Sequence, residues 1–188
     1  TLSHDGFDEA RFVEDNAQNA MGLCFLYVYK TQLAYLCGLH DAAYDFSVKA
    51  RELLHYITGF PSTMSGVFYG ALCACERFSP QDDEWQGVLK DLEQLRQWDE
   101  TAPENFRHKL LLLQAEVARK EGDPSRAIDR YSQAVVAARK SGFTHEDAMI
   151  RERFAGFWYA AGNTELGDYY LRGAYAQYEA WGARRKLA

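Results

Sequence analysis

Three glycines constrain this chain more than any other feature. Gly38, Gly122 and Gly162 are each followed five residues later by a small residue, Ala43, Ala127 or Gly167, and seven residues further by Ala50, Ala134 or Ala174. A glycine accepts the left-handed backbone of a tight turn, which strains any residue with a Cβ. Two small residues seven positions apart share one helix face and let a second helix approach closely. The pattern Gly-x4-small-x6-Ala therefore predicts a helical hairpin, and its recurrence predicts a repeat. A weaker copy fits between the Gly38 and Gly122 copies, with Phe78-Ser79-Pro80 at the turn and Asp83 and Lys90 where small residues belong. The turns then recur about every 40 to 44 residues.

Apolar residues between the turns return at three- and four-residue steps, as in Leu110, Leu113 and Val117, then Ile128, Tyr131 and Val135. That is helix spacing, and no strand-like alternation is sustained. Prolines mark helix starts, because proline has no N–H to donate. Ser79-Pro80 and Asp123-Pro124 each place a capping side chain before a proline, with Asp82 as an acidic partner for Ser79. Pro103 precedes Glu104-Asn105, Pro61 precedes Ser62 as a further cap, and Thr144 is read as a cap with Asp147 three residues on. Eight helices are expected, roughly over 17–37, 41–58, 62–77, 81–99, 105–121, 124–141, 145–161 and 164–181. Short loops imply antiparallel packing of neighbours.

At 188 residues the chain suits one domain or one short solenoid, and 47% hydrophobic with 26% charged residues is a folding composition. A net charge of −6 leaves no basic surplus for phosphates, and the one compact basic run is Arg184-Arg185-Lys186. Nucleic acid is therefore not an expected partner. No stretch approaches the ~20 apolar residues of a membrane span, the most apolar run from Met21 to Tyr29 stopping at Lys30. Thr1 to Asp15 is polar and acidic, unlike a secretory leader, so a cytoplasmic setting is expected. Cys24, Cys37, Cys73 and Cys75 lie in apolar helical segments and are expected to be reduced and buried. The lack of an initiator methionine and an end in mid-pattern point to a piece of a longer polypeptide.

The third unit, Phe106 to Gly142, carries Ala115, Ala118, Gly122, Ala127, Tyr131 and Ala134, and so resembles the tetratricopeptide consensus. Its period exceeds the roughly 34 residues of that repeat, which longer helices explain. FDEARF (Phe7 to Phe12), YLCGLHDAAYDFSVKA (Tyr35 to Ala50), HEDAMIRERFAGFWYAAG (His145 to Gly162) and YYLRGAYAQYEAWGARRK (Tyr169 to Lys186) extend the likeness over nearly the whole chain. Together these segments look like the tetratricopeptide-like portion of large bacterial multidomain sensor proteins. The ending from Tyr178 to Lys186 is the most specific part, and the second unit departs from the pattern at its small positions. The resemblance implies an all-α, right-handed antiparallel helical-hairpin repeat array, a tetratricopeptide-like superhelix of about eight helices. It would form a single domain over 1–188, with units of about 17–58, 62–99, 105–141 and 145–181. In that family the segment lies between kinase-like and predicted ATPase domains on one side and sensory or histidine-kinase output domains on the other.

Chemistry of its own is not expected. The sequence has no Gly-x4-Gly-Lys-Ser/Thr or Gly-x-Gly-x2-Gly phosphate loop and no His-Glu-x2-His. Cys73 and Cys75 point to nearly opposite sides of one helix, and no second pair sits at zinc spacing, so no metal or other cofactor is expected. Cys37 and His40 straddle a turn, where a hydrogen-bonded histidine is the simpler reading than a shared ligand. Asp82-Asp83-Glu84 reads as the acidic first turn of a helix. Trp158-Tyr159 and Tyr169-Tyr170 read as core between hairpins, with an aromatic ligand cage as the alternative.

In a stacked array the first helix of each hairpin lines the inner surface. Counting back from each turn places Gln32, Tyr35, Phe68, Leu72 and Cys75 there, then Lys109, Glu116, Arg119, Glu152 and Tyr159. This surface is expected to dock a peptide segment or a neighbouring domain of the same polypeptide through an apolar anchor and a charged clamp. Packing of the same residues against adjacent helices is the equal alternative. The leading reading is a non-catalytic protein–protein interaction and signal-coupling module, with self-association into a homo-oligomer left open. The rival is a ligand- or peptide-sensing repeat domain using Tyr35, Phe68 and Tyr159, and an enzyme would need a buried, convergent set of ionisable residues.

Overall fold

A computed structural model describes residues 6–187, and for Arg185 its backbone alone. Part of the Thr1 to Asp15 stretch and the terminal Ala188 thus lie outside the described residues. The described residues are all-α. Their helices are α1 (Glu9–Asp15), α2 (Ala20–Leu36), α3 (His40–Leu53) with a 3-10 turn at Leu54–Ile57, α4 (Pro61–Arg77) and α5 (Trp85–Thr101). There follow α6 (Pro103–Lys120), α7 (Pro124–Ser141), α8 (Thr144–Ala160), α9 (Thr164–Trp181) and α10 (Arg184–Leu187). The chain divides into two compact units, one ending at Arg77 and the other beginning at Phe78. The helices of the weak second copy, α4 and α5, therefore fall in different units. That copy is also the one without a turn glycine or small packing residues.

In the first unit α2 and α3 pair across Gly38, whose φ is +74°, and α4 packs on both. Cys24, Val28, Ala50 and Ile57 form a core cluster with Leu53 and Leu54 packed against it. The approach is close at Gly66, where a Cβ would lie 2.7 Å from Leu54 and 3.1 Å from Val28. A glycine there lets α4 seat on that cluster.

The second unit pairs α6 with α7 across Gly122 (φ +75°) and α8 with α9 across Gly162 (φ +78°), while α5 lies on α6. The small residues do what the pattern requires: Ala43, Ala127, Ala134, Gly167, Ala50 and Ala174 are all buried. Two further left-handed glycines, Gly142 and Gly182, close α7 and α9. Each accommodates a turn that returns backbone N–H groups to the last carbonyls of its helix. Left-handed glycines thus stand at 122, 142, 162 and 182, so the 40-residue period consists of two 20-residue halves.

Several helix starts differ from the sequence expectation. Helix α5 begins at Trp85, because the Ser79 hydroxyl and amide both donate to the Asp82 carboxylate, at 2.9 and 2.7 Å, and fold the segment into a turn. Asp82-Asp83-Glu84 therefore precedes the helix instead of forming its first turn. Thr144 and Ser62 lie inside α8 and α4 and do not cap them, whereas Asp123 caps α7 as expected, accepting from the Arg126 amide at 3.0 Å. Helix α1, capped by Asp8, and helix α10 add to the expected set, and both are at most two turns long. Cys24, Cys73 and Cys75 are buried, but Cys37 is exposed at the end of α2. All four thiols are free, and burial pushes the Cys73 thiol up to about 12. No helix among the described residues is long and apolar enough to cross a membrane.

Candidate functional site

In the first unit the residues expected on an inner surface are mostly interior. Tyr35, Phe68, Leu72 and Cys75 are buried, Tyr35 and Phe68 each edge-on to Tyr69. Gln32 is partly exposed and donates to the Tyr69 hydroxyl at 3.4 Å. Helix α2 turns Gln32 and Tyr35 toward Tyr69 of α4, the helix that carries Phe68, Leu72 and Cys75.

The charged residues expected there in the second unit are occupied within it. Glu116 on α6 accepts from the Tyr131 hydroxyl of α7 at 2.7 Å and from Arg119 at 2.9 Å. It also takes a two-pronged contact from Arg153 of α8, at 2.7 and 3.0 Å. Burial pushes the pKa of the Glu116 carboxyl up, against the pull of Arg119 and the Tyr131 hydroxyl. Lys109 reaches across to Glu146 of α8 at 2.8 Å, and His108 shares the same carboxylate. Burial alone would raise the Glu146 pKa, but the bond from His108 and the charge of Lys109 hold that carboxyl at about 2 in place of 4.5. Phe143 closes the group, stacked on His108 and lying under the Lys109 ammonium.

Helix α8 is the hub of this arrangement. Within it Asp147 and Arg151 form a further buried pair at 2.8 Å. Glu152 accepts from the Tyr178 hydroxyl of α9 at 2.7 Å and from Lys186 of α10 at 2.8 Å, fastening the last helix. Tyr159 lies flat against Gly167, where a Cβ would come within 2.5 Å of the ring, and its hydroxyl donates to Asp168 at 2.6 Å. His108, Lys109 and Glu146 are the convergent ionisable set that catalysis would require. However, His108 has no exposed surface, and the side chains of Glu146 and Lys109 keep 4% and 10% of theirs. The set joins α6 to α8 across the interior of the second unit.

Open surface lies elsewhere. On α2, Met21, Tyr29 and Leu33 are 44, 50 and 43% exposed, with Phe25 partly exposed between them. This row runs at four-residue steps along one helix face. Helix α2 has one charged residue, Lys30, and that one is buried against Glu9 and the Phe46 ring. On α9, Leu171 and Tyr175 are 44 and 52% exposed. The sequence held a signal for the α2 row, since a helix this apolar on every face leaves apolar side chains uncovered. Gln32 and Tyr35, the α2 residues expected on the inner surface, lie on the neighbouring face. No protein-family model, curated protein or solved structure matches this chain.

Proposed function

We propose that the chain is a non-catalytic protein–protein interaction module that couples neighbouring domains of a multidomain signalling protein. The observation that carries this reading is the exposed row Met21, Tyr29 and Leu33 on a helix without an exposed charge. Large apolar side chains aligned on one face favour a protein surface over a soluble metabolite as ligand. The internal pairing of Glu116, Glu146 and Glu152 across helices, and of Asp147 along α8, supports it, because these groups are engaged within the fold. The bacterial sensor-protein setting, and kinase-like, ATPase or output domains as partners, rest on the residue likeness alone. The rival reading, a ligand settling among Tyr35, Phe68 and Tyr159, has less in its favour, since Tyr35 and Phe68 are buried.

Purified flanking domains of each class, titrated against the chain, test the proposal. One of them should bind the wild type, and a variant with Tyr29 and Leu33 both replaced by serine should bind it at least about tenfold more weakly. Absence of binding to all of them, or binding indifferent to both substitutions, would count against it.

A further inference from the structure

The 40-residue period shows what normally covers the face that α9 leaves open. Helix α7 ends at Gly142, and α8 follows after Phe143 donates to the Ala138 carbonyl and Thr144 to that of Gly142, at 3.3 and 3.0 Å. Helix α9 ends at Gly182, and α10 follows after Ala183 donates to the Tyr178 carbonyl and Arg184 to that of Gly182, at 3.0 and 2.9 Å. Helix α10 thus follows Gly182 as the start of α8 follows Gly142, and Lys186 fastens it to Glu152 of α8. One period earlier α8 covers Tyr131 of α7 with Phe154 and Phe157, at ring distances of 4.9 and 5.7 Å, and Tyr131 is fully buried. The residues 40 positions after Tyr131 and Val135 are Leu171 and Tyr175, and both are exposed.

We infer that the flank of α9 centred on Leu171 and Tyr175 is a docking site for an amphipathic helix carrying two aromatic side chains three residues apart. The occupant's chemistry follows from the site. Gly156 stands one period after Glu116, so the carboxylate that receives Arg153 has no counterpart, and Glu152 is already paired with Lys186. Asp168 and Arg172 face one another at 3.8 Å at the margin. An uncharged aromatic pair therefore fits the centre of this face, with polar residues at its rim.

This inference rests on the interaction-module reading and gives it a second surface with a defined class of partner. A synthetic peptide of residues 148–160 serves as the probe. It carries Phe154 and Phe157 and omits 144–147, whose positions one period on are those of α10. Titrated into the intact chain, it should shift the NMR signals of Leu171, Tyr175 and Gly156. L171D and Y175D, each confirmed to melt at the wild-type temperature, should weaken binding by about tenfold or more. The peptide with both phenylalanines replaced by alanine should not bind. No shifts at millimolar peptide, or shifts unchanged by L171D, would overturn the inference. So would concentration-dependent dimerisation that L171D abolishes and the peptide cannot compete away, because the face would then belong to a second copy. If the peptide fails here while a flanking domain still binds through Tyr29 and Leu33, this inference falls and the interaction reading stands.

Discussion

Arg153 of α8 grips Glu116 of α6 through two parallel hydrogen bonds, Nε to Oε1 at 2.7 Å and Nη2 to Oε2 at 3.0 Å. The two residues are 37 positions apart, and the pair joins successive hairpins of the second unit where their side chains leave water. Replacing Arg153 by alanine leaves a buried carboxylate with Arg119 and the Tyr131 hydroxyl as its remaining donors. A wholly abandoned buried charge costs roughly 3–5 kcal/mol, and the remaining donors should bring the loss to about 2–3 kcal/mol. Urea unfolding read by circular dichroism measures it, and a loss below about 0.5 kcal/mol would remove this pair from the account.

Acid should weaken the second unit through Glu146. Its folded pKa of about 2 lies below the ordinary 4.5, so its contribution is complete above that ordinary value and is lost as pH falls toward 2. The contribution is on the order of 3 kcal/mol. Stability measured at successive pH values should decline across this window in the wild type. In Glu146→Gln it should be lower at neutral pH and decline less steeply, and equal slopes would argue against the role assigned to Glu146.

Two kinds of glycine should respond differently to alanine. At Gly122 (φ +75°) a Cβ meets nothing within 4 Å, so Gly122→Ala should cost only the left-handed backbone strain, about 1–2 kcal/mol. Asparagine there should cost less. At Gly167 a Cβ collides with the Tyr159 ring, so Gly167→Ala should expel that ring and break its bond to Asp168. A double-mutant cycle with Tyr159→Ala separates the two cases, because coupling to Tyr159 is expected for Gly167→Ala alone.

These two glycines also mark what a reader of the sequence could and could not see. The left-handed turns at Gly38, Gly122 and Gly162, and the small residues after them, follow from backbone and packing rules that act within one hairpin. The role of α8 does not. Glu146, Asp147 and Arg151 look like a solvated, acid-capped helix start, because a one-stripe reading assigns charges to water. Helix α8 is instead packed by α7 and α9 and reached by the Lys109 and Glu116 side chains of α6, and its charges are paired across or along the helix. The late start of α5 was hidden for a different reason: a serine beside an aspartate can cap a helix or close a turn, and local sequence does not choose between them. On α2 the spacing from the turn marks Gln32 and Tyr35, one face away from the exposed row, since the turn fixes the helix but not which side its neighbours leave open.

Removing Lys186 should loosen α10 alone. The ion pair with Glu152 is partly exposed and Lys186→Ala should cost the whole unit no more than about 1 kcal/mol. Amide hydrogen exchange should quicken in residues 184–187 and stay unchanged in α6 and α7. Faster exchange across α6 would show that the last turn supports more of the unit than its contacts imply.

In the proposed module the buried ionisable side chains hold the fold and the exposed row on α2 binds the partner. The most direct test is the affinity of the Tyr29→Ser, Leu33→Ser variant for a flanking domain that binds the wild type, measured beside its melting temperature. The account predicts an affinity lower by about tenfold or more with a melting temperature within a few degrees of wild type. Undiminished affinity in a folded variant would contradict it.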